Sequence, residues 1–224
     1  MAAAHAFVVD LSEPELSPDD RRHLARVLRL RPGEDVTVSD GAGRWRLCRF
    51  ADGLEPIGEI QHDERPDPPV TIAVALTKGE RLDWAVQKLT ELGVDTIVPM
   101  AAARSVVRWD GDRAGHHTER LRRIARQAAM QSRRTWLPAV TDVHSFAEAA
   151  AIAGATIAVP GGEPPSLRSP VVLVGPEGGW SEEEEGAGLA GVGLGPTVLR
   201  VETAAVAAAT LLCGLRAGLV TPRD

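Results

Sequence analysis

The stretch Val171-Val172-Leu173-Val174-Gly175-Pro176-Glu177-Gly178-Gly179-Trp180-Ser181-Glu182-Glu183-Glu184-Glu185 decides the architecture of the larger part of this chain. Four consecutive apolar residues without polar alternation read as a strand buried on both faces, the pattern of a parallel sheet covered by helices. Glycines and a proline then end the strand. Ser181 is placed to cap a helix whose first turn is filled with carboxylates, which the positive end of a helix dipole favours.

Working outward, the same texture repeats. Val70 to Leu76 reads as a buried strand, Leu82 to Leu92 as a helix closed by Gly93 at C′, and Thr96-Ile97-Val98 as the next strand. Arg120 to Gln131 reads as an amphipathic helix, with Leu121, Ile124, Ala125, Ala128 and Ala129 on its buried face. Arg122 and Arg126 lie one turn apart on another face, with Arg133 in line beyond them. Thr156-Ile157-Ala158-Val159 is a further buried strand. Val201 to Leu219 is a helix apolar almost all round, which needs cover on more than one side and so implies a subunit interface as well as a core. Strands alternating with helices define an α/β domain with a mainly parallel sheet.

The first part of the chain is built differently. Phe7-Val8-Val9 reads as a short strand. Ser17-Pro18 starts a helix, with Ser as N-cap and Pro at N1, that runs through His23-Leu24-Ala25-Arg26-Val27-Leu28 and stops at Arg31-Pro32-Gly33. Val36-Thr37-Val38, the turn Asp40-Gly41, the return strand Trp45-Arg46-Leu47-Cys48 and Gly58-Glu59-Ile60-Gln61 complete a set of short strands. Such a set with one helix suggests a small β-barrel. His62 to Pro69 is charged and proline-rich, the composition of an interdomain linker. The expected organisation is therefore a barrel over residues 1–68 and an α/β domain over residues 69–224.

With 224 residues, 44% of them hydrophobic, the chain can bury a real core. No apolar run is long enough to cross a membrane, and the start, Met1 to Phe7, has neither the basic nor the apolar region of a signal peptide. Cys48 and Cys213 read as isolated buried thiols rather than a disulfide framework. The net charge of −6 argues against a chain that is basic throughout, yet the charge is segregated. Nine arginines and three acids lie between Arg104 and Arg134, and five arginines and no acid between Arg21 and Arg31. This fits an acidic protein with a basic working face, and equally a set of solvated helix faces.

The chemistry concentrates in two loops. The glycines of Gly175-Pro176-Glu177-Gly178-Gly179 allow close approach of a ligand to backbone, or simply a tight turn into a helix. The loop is neither a dinucleotide fingerprint nor a Walker loop. Its acidic helix start opposes polyphosphate and favours a ligand whose reactive part is neutral or cationic, a condition that a sulfonium compound meets. The second loop, Leu194-Gly195-Pro196-Thr197-Val198-Leu199-Arg200-Val201-Glu202-Thr203-Ala204, sets Arg, Glu and Thr at the mouth of the last helix. Arg200 and Glu202 there are solvent-facing caps or site residues, since burial unpaired is costly; Thr203 reads equally well as an N-cap. The six histidines show no ligand spacing with Cys or Asp, so no metal site is expected, and there is no nucleophile elbow.

These two loops closely resemble the signature of the 16S ribosomal RNA uridine N3-methyltransferases (RsmE type) of the SPOUT superfamily. Three further segments agree, in family order. Leu76-Thr77-Lys78-Gly79 with Gln87 to Val94 is similar to the family's first strand–helix unit, and Gln131-Ser132-Arg133-Arg134 with Pro138 to its central helix end. His23 to Leu30 with Asp40-Gly41 is similar to its N-terminal domain. Met130 stands where the family commonly carries Glu.

The resemblance implies a PUA-like β-barrel RNA-binding domain ahead of an α/β domain whose C-terminal chain forms a trefoil knot, a feature no sequence pattern would suggest by itself. It implies a cytoplasmic homodimer that moves a methyl group from S-adenosylmethionine to N3 of a uridine in the 16S rRNA of the small ribosomal subunit. On that basis Arg200 and Glu202 are the expected catalytic pair. Val159, Pro160, Leu173, Gly175, Pro176, Gly178, Gly179, Leu194, Gly195, Leu199 and Thr203 are the expected cofactor contacts. Arg21, Arg22, Arg26, Arg29, Arg44, Arg104 and Arg133 are the expected RNA contacts, with Arg120, Arg123 and Arg126 behind them. The rival readings are a methyltransferase of the same superfamily acting on transfer RNA or a ribose hydroxyl, a silent RNA-binding adaptor, and a nucleotide-binding oxidoreductase.

Overall fold

The computed structural model describes residues 2–27, 29–109 and 111–221, without the side chains of Val27 and Asp112. It divides into two compact units. One comprises residues 1–65 and 126–137, the other residues 66–125 and 138–224.

The first unit carries a five-stranded sheet formed by β1 (Ala4–Phe7), β2 (Asp35–Ser39), β3 (Arg44–Phe50), β4 (Leu54–Pro56) and β5 (Gln61–His62). β1 pairs parallel to β2; the remaining pairings are antiparallel. Strand alternation sorts Val36, Val38, Cys48 and Phe50 into a core with Leu24, where all are buried. Ser17 caps α1 (Pro18–Arg22) by accepting from the Asp20 amide at 3.1 Å, with Pro18 at the first helical position, as expected. The helix expected through Leu28 instead passes into a π-helical turn at His23–Val27; Leu28 itself lies outside the described residues.

Two features of this unit depart from the sequence reading. The segment after His62 was expected to be linker, yet Asp63 is a hub. Its carboxylate accepts from the Trp45 indole at 3.0 Å and the Thr135 hydroxyl at 2.8 Å, and its carbonyl accepts from the Trp136 indole at 3.0 Å. Satisfying three polar donors outweighs the composition bias. Residues 126–137 also belong here: Ala129 and Met130 join the core, and Arg126 reaches Asp20 with two bonds of 2.7 and 2.8 Å. Burial raises the Asp20 carboxyl, but hydrogen bonds from Arg126 and Ser17 outweigh it and hold the group below its ordinary value.

The second unit is an α/β layer structure. Its strands are β6 (Thr71–Ala75), β7 (Thr96–Ala101), β8 (Ala139–Val140), β9 (His144–Ser145), β10 (Ala155–Glu163), β11 (Val171–Val174) and β12 (Ala190–Val192). Their order is β12-β10-β11-β6-β7-β8, with β9 also on β7, and every pairing is parallel. All five residues of β6 and all four of β11 are buried, which explains their apolar sequence after Thr71. Ile72, Val74, Val172 and Val174 face a core with α2 (Arg81–Leu92) and α6 (Val201–Arg216); Ala73, Ala75, Val171 and Leu173 face another with Trp180 and α4 (Phe146–Ala150). α3 (Asp112–Gln131) starts well before the expected Arg120.

The last turn of α6 is locked by charge. Arg216, with 9% of its side chain exposed, pairs with Asp95, with 3% exposed. It also donates to the carbonyls of Gly93 at 2.7 Å and Pro68 at 3.1 Å. Asp95 in turn accepts from the Val70 amide at 2.8 Å. This network ties the end of the last helix to the start of the central strands.

Candidate active site

In parallel sheets the carboxyl ends of strands open a crevice where successive strands run off in opposite directions from the chain's starting point. Here the chain moves from β6 to β7 on one side, then returns to place β10, β11 and β12 on the other. At the carboxyl end of β11, beside the middle of β10, lies a cavity of about 480 Å³, a volume suited to a cofactor-sized molecule. The middle of β10 supplies Ala158, Val159 and Pro160. The glycine loop supplies Gly175, Pro176, Glu177, Gly179 and Trp180, and the segment before α6 supplies Leu194, Gly195, Thr197, Val198 and Leu199. Glu185, Val174, Val201 and Ala204 complete the wall.

The glycine loop is a tight turn closed by the Gly179 amide on the Pro176 carbonyl at 2.9 Å. Gly179 has φ +71°, and a Cβ there would point into open space, so its backbone is accessible to a ligand. Gly175 has a different task. A Cβ at that position would stand 2.8 Å from the Trp180 ring, so glycine makes room for the indole. Trp180 is buried, donates to the Ala158 carbonyl at 3.0 Å and meets Phe146 edge-on at 5.5 Å between centroids. Farther out, Glu184 is buried at 4% exposure; it accepts from the Ser181 amide at 2.8 Å and the Ala103 amide at 2.7 Å.

Of the eleven expected cofactor contacts, Val159, Pro160, Gly175, Pro176, Gly179, Leu194, Gly195 and Leu199 come together around the cavity, and Leu173, Gly178 and Thr203 do not line it. The Leu173 side chain is fully buried in the sheet core. Gly178 faces Arg104, whose Cβ would lie 3.3 Å from an added methyl. Thr203 is exposed in the first turn of α6 and is not its cap; Arg200 occupies the N-cap position without a side-chain capping bond. Glu177, Trp180, Glu185, Thr197 and Val198 were not on the expected list, although all lie within or beside the quoted loops. The signal for Val198 was present: it is apolar in a loop, and in the fold it is 89% exposed.

Arg200 is exposed beside this wall, and one carboxylate oxygen of Glu202 is buried with no hydrogen-bond partner among the described residues. Among the expected RNA contacts, Arg26, Arg29 and Arg133 are exposed, whereas Arg22 pairs with Asp19 at 3.5 Å and Arg44 with Asp40 at 2.7 Å. Arg21 donates to the Asp52 carbonyl and Arg104 to the Gly178 carbonyl. Arg120 and Arg126 are engaged by Asp83 at 2.6 Å and Asp20 at 2.7 Å, which fits them for structure more than for phosphate. Cys48 and Cys213 are buried. Among the described residues no group of three or more His, Cys, Asp or Glu is arranged to hold a metal ion, and no helix is long and apolar enough to cross a membrane.

Comparison with known proteins places this geometry in a class. Residues 63–213 match the family model of an RNA methyltransferase domain, and residues 16–54 that of an RNA methyltransferase PUA domain. The fold is thus that of a SPOUT-type RNA methyltransferase. The ribosomal RNA small subunit methyltransferase E of Mycobacterium tuberculosis is 37% identical, over 85% of this chain and 82% of its own. That of Bacillus subtilis is 31% identical, over 84% and 85%. The crystal structure of the Neisseria gonorrhoeae enzyme of that name, bound to S-adenosylmethionine, superposes with a TM-score of 0.76 at 30% identity, covering 95% of this chain and 97% of its own. The chain belongs to the ribosomal RNA small subunit methyltransferase E family.

Proposed function

We propose that the protein methylates N3 of a uridine in the 16S rRNA of the small ribosomal subunit, with the methyl donor seated in the cavity between the glycine loop and residues 194–199. The single observation that carries the placement is that the two loops, separate in sequence, close on one apolar cavity at the carboxyl end of β11 and beside the middle of β10. Its walls fit the donor. Val159, Leu194, Val198 and Leu199 offer apolar surface for an adenine, Gly179 offers open backbone, and the charged side chains in the lining are the carboxylates Glu177 and Glu185, compatible with a cationic sulfonium. When bound, S-adenosylmethionine supplies an electrophilic methyl group.

The chain's own residues supply the rest. Uridine N3 carries an imide proton and attacks poorly until that proton leaves, so a base beside it is needed. Glu202 is our candidate: a buried carboxylate oxygen without a partner is costly, and an N–H placed against it would satisfy it. Arg200, at the N-terminus of a 16-residue helix, adds its charge to the positive end of the helix dipole where a uridinate oxygen would gather negative charge. N3 lies on the pairing edge, so the base must be unpaired or flipped out. Holding donor and acceptor in line supplies much of the acceleration.

Arg21, Arg22, Arg26, Arg29, Arg44 and Arg133 are our candidates for RNA phosphate contacts on the N-terminal unit, with Arg104 on the other; such contacts make affinity strongly salt-dependent. We also read residues 1–68 as the RNA-binding domain and 69–224 as the catalytic domain, the C-terminal chain as knotted, and the working form as a cytoplasmic homodimer. Val206, Ala207 and Leu211 of α6 are only half-buried within one chain, which supports a partner there.

The test is incubation of the protein with methyl-labelled S-adenosylmethionine and small ribosomal subunits lacking the modification, followed by nucleoside analysis. Label in 3-methyluridine is expected. Label in a 2′-O-methylated nucleoside, or in transfer RNA alone, would overturn the assignment.

A further inference from the structure

The turn Pro176–Gly179 closes on itself through one backbone hydrogen bond and is held at Gly178 by Arg104, which leaves the carboxylate at its tip, Glu177, to be fixed by a further tether. One is present. Arg81 Nη1 donates to Glu177 Oε1 at 2.7 Å. Arg81 is the first residue of α2, and Glu177 lies just past β11, so the bond joins the loops that follow two adjacent parallel strands. Glu177 also lines the cavity, whereas Arg81 does not. Both side chains are near half exposed, at 45% and 41%, so the pair is free to form or break without disturbing a core.

The geometry points to Arg81 as a positioning residue of the donor site, acting through Glu177. This rests on the reading of the cavity as the donor site. The bond does two separable things. It fixes the turn that forms one wall, which matters equally for S-adenosylmethionine and for the demethylated product S-adenosylhomocysteine. It also offsets the charge of a carboxylate facing the cavity, which matters for the sulfonium but not for the neutral thioether. Losing the first weakens both ligands; losing only the second tightens the sulfonium compound alone.

Calorimetric titration of both ligands into the full-length protein separates these. Arg81→Ala is expected to weaken the product about two- to fivefold, as for an exposed pair, and the sulfonium compound by a smaller factor, because the bared Glu177 charge offsets part of its loss; Arg81→Lys is expected to restore most of both. In a Glu177→Gln background, Arg81→Ala is expected to change little, because its partner charge is already gone. Unchanged affinities in Arg81→Ala overturn the proposal. So does an equal loss in the Glu177→Gln background, which would mean that Arg81 acts through something else, and so does tighter binding of the sulfonium compound with the product unaffected. Failure of the wild-type protein to bind either ligand would instead bring down the donor-site reading itself. Thermal unfolding of each variant shows whether a loss of affinity is a loss of fold.

Discussion

Gly175→Ala tests the packing of the glycine loop more sharply than any change to a charged residue. Gly175 has no positive φ, so alanine is conformationally allowed there and any cost comes from space. Its Cβ would stand 2.8 Å from Trp180, where ordinary contacts begin near 3.4 Å, so the indole must withdraw by about 0.6 Å. That movement stretches its hydrogen bond to the Ala158 carbonyl, now 3.0 Å, and disturbs the edge contact with Phe146. Overpacking plus one weakened hydrogen bond costs about 2–4 kcal/mol. At roughly 2–4 °C per kcal/mol for a chain of this size, the midpoint should fall by roughly 5–15 °C. Because Trp180 lines the cavity, donor affinity should fall about tenfold or more, the equivalent of roughly 1.4 kcal/mol. Calorimetry and thermal unfolding measure both. Gly179→Ala is the contrast: it meets open space and costs only the left-handed backbone, about 1–2 kcal/mol, without moving the indole. A Gly175→Ala protein with wild-type melting and wild-type donor affinity would refute this account of the loop.

Glu202→Gln should lower turnover by about 10²–10⁴-fold while donor affinity stays unchanged, as read by single-turnover methylation and calorimetry; wild-type turnover would remove Glu202 as base. Arg216→Met removes the cation paired with the buried Asp95 carboxylate and should destabilise the protein by about 3–5 kcal/mol in denaturant unfolding. His5 lies buried between the Thr37 hydroxyl at 2.9 Å and the Ser39 hydroxyl at 3.1 Å, and burial lowers its pKa from 6.5 to about 4. The neutral ring is therefore the folded form. Its contribution, about 3 kcal/mol, is complete above pH 6.5 and lost as the pH falls towards 4, so His5→Asn should flatten stability over that window. An imidazole resonance of His5 that titrates near 6.5 would contradict this.

Much of the second unit was legible because a parallel strand buried on both faces writes itself as an unbroken apolar run. Val171 to Val174 and Ile72 to Ala75 are cases where local sequence and final environment agree. Gly93 ends its helix with φ +98° for the reason anticipated. The misses have physical causes too. Asp63 reads as linker because its three donors, Trp45, Thr135 and Trp136, come from other parts of the chain. Residues 126–137 look like the end of an ordinary helix, and nothing local reveals that Ala129 and Met130 complete the N-terminal core. In the glycine loop, the glycines were read together as access for a ligand or as a tight turn. Of its three glycines Gly179 alone is open, while Gly175 accommodates a tryptophan and Gly178 faces an arginine. A sequence shows that a small residue is required, not which neighbour requires it. The pairing of Arg81 with Glu177, 96 residues away, left no mark that spacing would disclose.

The most direct test of the central claim is a crystal structure of this protein with S-adenosylmethionine at saturating concentration. The account predicts the donor between the glycine loop and residues 194–199, touching Gly179, Leu194 and Leu199, with Trp180 unmoved. A donor bound on another face of the molecule, with this cavity filled by side chains, would contradict it.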